Sequence, residues 1–250
     1  MPTIRVLIDE PAAGAWNMAV DEALLEAAAH TGRATLRFYA WEVPTLSLGY
    51  FQSAADRQQH ASSRQLPLVR RASGGGAIVH DRELTYSLAL PQSAGRPAAA
   101  SELYDALHGS LVAALAELGV AAALYRPDNC TARSPAAAEP LLCFQRRACG
   151  DIVTGDAKIV GSAQRRQRTA VLQHGSILLA RSAAAPELPG IGELTNRQIA
   201  GGDVIAAWLP RVAAALGMRA ERQTLDPETR RRAEAIAESK FAAPAFTYRR

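Results

Sequence analysis

Residues 70–81 read Arg-Arg-Ala-Ser-Gly-Gly-Gly-Ala-Ile-Val-His-Asp and place three successive glycines between two strand-like stretches. Glycine tolerates positive φ and lets backbone N–H groups approach a ligand closely, so the pattern is typical of a binding loop. No Gly-Lys-Ser/Thr follows, and the glycine spacing is not that of a dinucleotide fingerprint. A plain hairpin turn with two solvated arginines is the alternative, which the paired arginines and the following His80 and Asp81 weaken.

Strand and helix patterns follow one another irregularly around this loop. The strand-like stretches are 4–8, 36–39, 45–48, 66–69, 77–79, 84–90, 151–154, 158–162 and 171–179. Helical periodicity covers 17–29, 102–118, 204–216 and 227–240. This irregular order predicts an α+β fold in which mixed β-sheets pack against helices.

Three connections can also be predicted from turn-forming residues. Residues 77–79 and 84–90 could pair as a hairpin, and residues 154–157, Thr-Gly-Asp-Ala, suit a tight hairpin turn. Residues 127–140 contain three prolines among polar residues, which indicates a mobile loop.

Lys158 begins a second unusual stretch, Lys-Ile-Val-Gly-Ser-Ala-Gln, on a strand that should be half buried. The chain has only two lysines, Lys158 and Lys240, against 26 arginines. A buried ammonium is costly unless it meets an anion or a carbonyl, so Lys158 is a candidate binding residue. The alternative is a lysine at a sheet edge that guards against aggregation.

Cys143 lies in Leu-Leu-Cys-Phe-Gln-Arg-Arg, residues 141–147. Its leucine neighbours fit a small buried hydrophobic residue, whereas the two arginines would favour the thiolate that a nucleophile needs. The local sequence leaves both interpretations open. The other cysteines, Cys130 and Cys149, match no zinc spacing, so no metal site is predicted and all three are expected to be free thiols.

Composition excludes several classes of protein. The chain has 250 residues, 48% hydrophobic and 21% charged, which excludes disulfide-stapled miniproteins, collagen-like chains and wholesale disorder. No apolar run is long enough for a membrane span, and the N-terminus lacks a secretory signal, so a cytoplasmic protein without membrane contact is expected. The net charge of +4 would suit acidic protein partners or nucleic acid.

Taken together, the motifs resemble the lipoate–protein ligase and octanoyltransferase superfamily, whose catalytic domain is shared with biotin protein ligases. The resemblance rests on 17–24, 37–41, 47–51, 70–76, 83–87, 158–164, 237–241 and 248–250. It implies a biotin/lipoate ligase-like catalytic domain over residues 1–250, with a helical portion at about 200–250.

Within the superfamily, the chain is similar to the cysteine-dependent octanoyltransferases of the LipM and LipL type. Their Cys-Phe pair precedes the lysine block by the interval that separates Cys143 from Lys158. The resemblance implies that Cys143 is the nucleophile and that Lys158 is also catalytic. The implied substrate-binding residues are Arg70, Arg71, Ser73, Gly74, Gly75, Gly76, His80, Gly161, Ser162, Ala163, His174 and Gly175.

The implied reaction moves an octanoyl group through a cysteine acyl-enzyme and needs no cofactor. The donor would be acyl carrier protein or octanoylated glycine-cleavage H protein, and the acceptor a lysine of a lipoyl domain or of H protein. Lys158, assisted by backbone N–H groups near Gly75–Ala77 or Cys143, would bind the oxyanion. The acyl tail would lie along the glycine loop and residues 174–179, and Arg165, Arg166 and Arg168 would bind the acidic carrier.

Two alternatives remain. The spelling Ser-Gly-Gly-Gly-Ala at 73–77 and Gly-Asp-Ile at 150–152 are similar to ATP-dependent lipoate–protein ligases, which act through lipoyl-adenylate with ATP and Mg. A catalytically silent homologue or a basic nucleic-acid module is the other, and salt-dependent DNA binding would identify it. Because arginine runs are usually solvated faces, no nucleic-acid partner is expected.

Overall fold

The computed structural model describes residues 1–92, 100–127 and 140–249. Most of the loop predicted at 127–140, including Cys130, lies outside these ranges. The strands in the described ranges are β1 (Thr3–Ile8), β2 (Ala34–Tyr39), β3 (Thr45–Leu48), β4 (Leu68–Arg70), β5 (Ile78–His80), β6 (Glu83–Pro91), β7 (Ala123–Leu124), β8 (Ile152–Thr154), β9 (Ala157–Arg166), β10 (Ala170–Leu178) and β11 (Arg219–Arg222). The helices there are α1 (Gly14–Thr31), α2 (Ala100–Glu117), α3 (Ile191–Thr195), α4 (Gly201–Ala215), α5 (Pro227–Ile236) and α6 (Pro244–Thr247).

The strands that the structure describes form two mixed sheets. The larger sheet has eight strands in the order β11-β1-β2-β6-β10-β9-β8-β7, and the smaller has three in the order β4-β3-β5. In the larger sheet β1 runs parallel to β2 and β11, and the remaining pairs are antiparallel. The predicted α+β class is therefore confirmed.

Helices cover both faces of the larger sheet because its strands alternate apolar side chains between the faces. On one face, α2 and α4 pack on a cluster that includes Phe38 and Trp208. On the other face, α1 and α5 pack on a second cluster, which includes Tyr39 and Leu172. Neighbouring residues Phe38 and Tyr39 thus point to opposite layers. No helix in the described ranges is long and apolar enough to cross a bilayer.

Most predicted elements are confirmed, but one predicted pairing is wrong. The turn at 154–157 joins β8 and β9, with Gly155 at φ +57°. Residues 77–79 and 84–90, however, do not form a hairpin. Strand β5 pairs with β3 in the smaller sheet, whereas β6 lies between β2 and β10 in the larger one. The short connection between them carries the chain from one sheet to the other.

Arg37 of β2 fastens α1 to the sheet. Its guanidinium is fully buried and lies 2.9 Å from Asp21 Oδ1 and 2.7 Å from Asp9 Oδ2. It also donates to the carbonyl and the side-chain oxygen of Asn17, at 3.1 and 2.9 Å. Asp21 accepts a further hydrogen bond from the Tyr39 hydroxyl at 2.9 Å. Because every partner is hydrogen-bonded, removing the cation would leave buried groups unpaired.

We expect Arg37→Ala to lower the free energy of unfolding by about 3–5 kcal/mol, because Asp21 would stay buried without its cation. Urea denaturation measures the change. Arg33→Ala is the control, because its guanidinium is 54% exposed and its 3.8 Å pair with Asp226 should contribute about 1 kcal/mol or less. Equal losses for the two variants would contradict the importance of the buried pair.

Candidate active site

A cavity lies between the glycine loop (residues 73–77), the face of the larger sheet and the segment around Cys143. Its empty space, including the open mouth, is about 460 Å³. The predicted residues that line it are Arg71, Gly74, Gly75, His80, Cys143, Gly161, Ser162, Ala163, His174 and Gly175. Arg70, Ser73, Gly76 and Lys158 lie outside this lining, and each has a defined place nearby.

Cys143 is held by backbone pairing with the glycine loop. Its N–H donates to the carbonyl of Ala77 at 2.8 Å, and the N–H of Ala77 donates to Leu141 at 2.9 Å. A Cβ on Gly76 would lie 3.2 Å from the Cα of Cys143, so glycine permits this close approach. The pairing also corrects a prediction. The N–H groups of Ala77 and Cys143 are already bonded to backbone carbonyls, so these two are not available as oxyanion donors, and the prediction stands untested for the other N–H groups near Gly75–Ala77 and Cys143.

Lys158 reaches the sulfur of Cys143. Its Nζ lies 3.6 Å from the Sγ atom and 3.4 Å from the carbonyl oxygen of Cys143. The lysine side chain curls over Gly161, where a Cβ would lie 2.5 Å from its Cε. Strand β9 lies between β8 and β10, so the sheet-edge interpretation of Lys158 is wrong.

Asp151 is the ion-pair partner of Lys158, a role that the sequence analysis did not predict. Its Oδ2 lies 2.8 Å from Lys158 Nζ, and the two side chains are 4% and 3% exposed. The same oxygen accepts a hydrogen bond from the N–H of Ala148 at 2.6 Å. The cost of burying a lysine was the signal that could have found it, because such a charge needs a carboxylate close by.

Arg71 holds the glycine loop through hydrogen bonds to its backbone carbonyls. It donates to Ser47 Oγ at 2.5 Å, to Gly76 at 2.8 Å and to Gly74 at 3.3 Å, while its buried Nε has no partner in the described structure. Burial lowers the pKa of Arg71 to about 10, and the negative charge available on Cys143 opposes this effect. Within the described residues no carboxylate forms an ion pair with Arg71, although the charge of Glu83 acts on it, and Arg71 lines the cavity.

Arg70 has a structural role in place of the predicted substrate contact. Its fully buried guanidinium donates to the carbonyls of Gly49, Tyr50 and Gln52, and to those of Phe246 and Thr247. It therefore joins the loop after β3 to the C-terminal segment. A Cβ on Gly49 would overlap the carbonyl oxygen of Gly75, so the same loop supports the glycine loop.

Ser73 holds the glycine loop to the sheet through His174. The Ser73 Oγ lies 2.5 Å from His174 Nε2, and His174 Nδ1 lies 3.3 Å from Asp21 Oδ2. Although burial raises the pKa of Asp21, the hydrogen bond from His174 and the charge of Arg37 leave it below its ordinary value. An ionised Asp21 accepts the Nδ1 hydrogen of His174, and this contact orients the ring toward Ser73.

His80 is fixed in the same manner. Its Nδ1 lies 2.6 Å from Glu83 Oε1 and its Nε2 lies 2.6 Å from Ser47 Oγ, while its ring stacks on Trp41 at 3.8 Å. Burial lowers the pKa of His80, and Glu83 only partly opposes this effect. His80 is therefore a neutral wall of the cavity near pH 7.

The remaining predicted residues belong to β9 and β10. The Ser162 hydroxyl lies 2.7 Å from the Tyr86 hydroxyl and also bonds to His108, so it is already committed. A Cβ on Gly175 would lie 2.6 Å from the Tyr86 ring, which explains why glycine is present there. Cys143 is a free thiol, whereas Cys149 is disulfide-bonded, so the prediction of a free thiol is wrong for Cys149.

The arrangement suits nucleophilic catalysis. A thiol borders a partly open cavity, and a buried ammonium stands within hydrogen-bonding reach of its sulfur. A cation in this position can stabilise an oxyanion that forms on a carbonyl attacked by the sulfur. The described residues hold no group of three His, Cys, Asp or Glu side chains placed to bind a metal ion.

Comparison with known proteins shows the family of the chain. Residues 13–185 match the family model of the lipoyl protein ligase A/B catalytic domain. The chain is 36% identical to octanoyltransferase LipM of Kyrpidia tusciae over 100% of both chains, and 31% identical to that of Brevibacillus brevis over 98% and 99%.

Solved structures share the fold at lower identity. A putative lipoate protein ligase from T. acidophilum with bound lipoic acid superposes with a TM-score of 0.80, at 20% identity over 100% of both chains. Lipoate-protein ligase A bound with ATP gives 0.79 at 19% identity, over 99% of both chains. At this identity the likeness shows the fold.

We expect Asp151→Asn to lower the free energy of unfolding by about 3–5 kcal/mol, because the ammonium of Lys158 would stay buried without a counter-charge. The effect should shrink markedly in a Lys158→Met background, which removes the charge that needs pairing. Urea denaturation of the four proteins measures this coupling. Asp156→Asn, at an exposed 3.2 Å pair with Arg147, is the control. An undiminished loss in the Lys158→Met background would contradict the assigned partnership.

Proposed function

The chain belongs to the lipoyl protein ligase A/B catalytic domain family, and from this premise we propose that it is an octanoyltransferase of protein lipoylation that acts through an acyl-enzyme on Cys143. The observation that carries the proposal is the 3.6 Å approach of Lys158 Nζ to Cys143 Sγ beside the cavity. It supplies a nucleophile, a cation and space for an acyl chain at one point.

In the first half-reaction, the thiolate of Cys143 attacks the carbonyl carbon of an octanoyl thioester. A carbon–sulfur bond forms to Cys143 and the carbon–sulfur bond of the donor breaks, and the departing thiolate takes up the proton that Cys143 lost when its own thiolate formed. Negative charge develops on the carbonyl oxygen between these events. The ammonium of Lys158 is the donor directed at this charge, and the guanidinium of Arg71, which has no carboxylate ion pair among the described residues, adds a second positive charge.

In the second half-reaction, the amine of an acceptor lysine attacks the Cys143 thioester. The new carbon–nitrogen bond forms, the carbon–sulfur bond breaks, and the amine hydrogen replaces the octanoyl group on sulfur. Asp151 holds the Lys158 ammonium in position throughout. No step requires ATP or another cofactor.

The protein partners follow from the same reaction. The donor would be acyl carrier protein or octanoylated glycine-cleavage H protein, and the acceptor a lipoyl domain or H protein. Arg165 donates to the carbonyl of Ala72 at 2.9 Å, beside the glycine loop, and Arg166 and Arg168 are exposed on the same strand end. These cations are suited to acidic carrier domains, and attraction would be strongest at low salt.

The ligase alternative uses the same cavity differently. Lys158 would contact the acyl phosphate of an adenylate, with ATP and Mg as co-reactants and the glycine loop around the phosphate. It predicts ATP-dependent lipoate activation that survives Cys143→Ala. The acyl-enzyme route predicts that Cys143→Ala abolishes acyl transfer and that no ATP is needed, so this variant distinguishes the two functions.

We expect incubation with octanoyl acyl carrier protein to add one octanoyl group to the purified protein, at Cys143. Intact-mass and peptide mass spectrometry detect the adduct and its position. Cys143→Ala should carry no adduct and transfer nothing to an apo lipoyl domain. An adduct that persists in this variant, or its absence from the wild type, would refute the covalent route.

We expect Lys158→Arg to reduce kcat about 100-fold or more, because the planar guanidinium cannot occupy the point above Gly161 that the ammonium fills. Lys240→Arg is a matched control, since Lys240 is the other lysine of the chain. Its Nζ lies 2.6 Å from Glu22 Oε2, and it does not line the cavity. Octanoyl transfer to a lipoyl domain measures both. Near-normal turnover of Lys158→Arg would exclude a specific role for the ammonium.

A further inference from the structure

One transverse row of residues crosses four adjacent strands of the larger sheet. Gly161 of β9 lies opposite Ser176 of β10, Ser176 lies opposite Thr85 of β6, and Thr85 lies opposite Tyr39 of β2. Residues directly opposite one another in a ladder point to the same face. All four also line the cavity. The cavity therefore runs across the strands, and this row is its floor.

The two ends of the row differ in chemistry. Gly161 is the reactive end, because the Lys158 side chain curls over it and carries the ammonium to Cys143. Tyr39, three strands away, is the closed end. An acyl group attached to Cys143 that follows the floor must therefore point its methyl end toward Tyr39.

The floor is built from hydroxyl residues, yet it offers no free hydrogen-bond donor. The Tyr39 hydroxyl donates to Asp21 at 2.9 Å, the Thr85 hydroxyl donates to Glu83 at 2.6 Å, and Ser176 also donates to Glu83. A polar chain would be desolvated there without gaining these donors, whereas an alkyl chain loses nothing. The floor thus favours a saturated hydrocarbon, and Ile78 and Phe144 supply apolar walls.

Met18 closes the end beside Tyr39. It lies three residues before Asp21, and residues at this spacing share one face of a helix. Since Asp21 accepts the Tyr39 hydroxyl, Met18 is brought to the same place, where it also lines the cavity. Met18 is 3% exposed and Tyr39 is 1% exposed, so no open channel continues past them.

The length of the row can be compared with that of an acyl chain. Three strand spacings of about 4.8 Å give roughly 14 Å from Gly161 to Tyr39. An extended chain advances about 1.2 Å per bond, as the peptide backbone does, so eight carbons span about 9 Å. The row itself is thus longer than eight carbons, so a shorter limit has to come from side chains that stand over its far end, and Met18 and Tyr39 are the lining residues there.

From this geometry we infer that Met18 and Tyr39 form the binding site for the methyl end of the acyl chain and limit the chain to about eight carbons. The inference rests on the proposed acyl transfer to Cys143 and adds its chain-length specificity. Met18 is the residue to test, because Tyr39 also bonds to the Asp21 network that holds α1.

The experiment offers the protein an equimolar mixture of hexanoyl, octanoyl, decanoyl and dodecanoyl acyl carrier protein, and mass spectrometry compares the adducts on Cys143. The wild type should favour octanoyl. Met18→Ala should raise the dodecanoyl-to-octanoyl ratio at least about 10-fold, since each methylene in an apolar pocket changes selectivity by roughly that factor or more. Met18→Phe, which shortens the cavity, should instead raise the hexanoyl-to-octanoyl ratio.

Leu24→Ala is the matched control, because Leu24 lies on the same helix in the same buried cluster but does not line the cavity. Its chain profile should remain that of the wild type. Unchanged profiles in both Met18 variants, or an equal shift in Leu24→Ala, would overturn the inference. If the wild type forms no adduct with any chain, the proposed function fails and the inference with it. Normal octanoylation with unaltered selectivity overturns the inference alone.

Discussion

The position of Cys143 depends on one backbone pairing, between Ala77 at the end of the glycine loop and the segment 141–143. This pairing is possible because Gly76 has no side chain to separate the two backbones. The glycine loop is in turn held by Arg71 from the smaller sheet and by Ser73 through His174 from the larger sheet. Cys143, the proposed nucleophile, is therefore positioned by both sheets, although it belongs to neither.

Two cations act on the cavity in different ways. Lys158 is paired with Asp151, so its charge is compensated and its position is fixed. Arg71 has no carboxylate partner among the described residues, and burial makes its charge costly. A new negative charge on sulfur or on a carbonyl oxygen would offset the desolvation of this guanidinium. In the proposed mechanism, the resting site is thus organised for an anion that exists only during the reaction.

Sequence reasoning found the reactive groups more readily than their supports. The cost of a buried ammonium pointed to Lys158, and resemblance raised Cys143 above its ambiguous surroundings. The sequence did not distinguish Arg70 from Arg71. Neighbouring residues at the end of a strand point to opposite sides, so Arg70 binds backbone carbonyls whereas Arg71 lines the cavity. Asp151 and Asp21 were missed, since their partners are defined by packing that a linear pattern does not contain.

The ion pair of Lys158 with Asp151 also affects whether the proposed acyl-enzyme could transfer its acyl group to Lys158. An amine 3.6 Å from an acylated sulfur would be the nearest nucleophile to the thioester, and capture of the octanoyl group by Lys158 would end catalysis permanently. An ammonium bound to a carboxylate has no lone pair with which to attack. In the proposed mechanism, Asp151 thereby keeps Lys158 a hydrogen-bond donor to the substrate and prevents its acylation by the adjacent thioester.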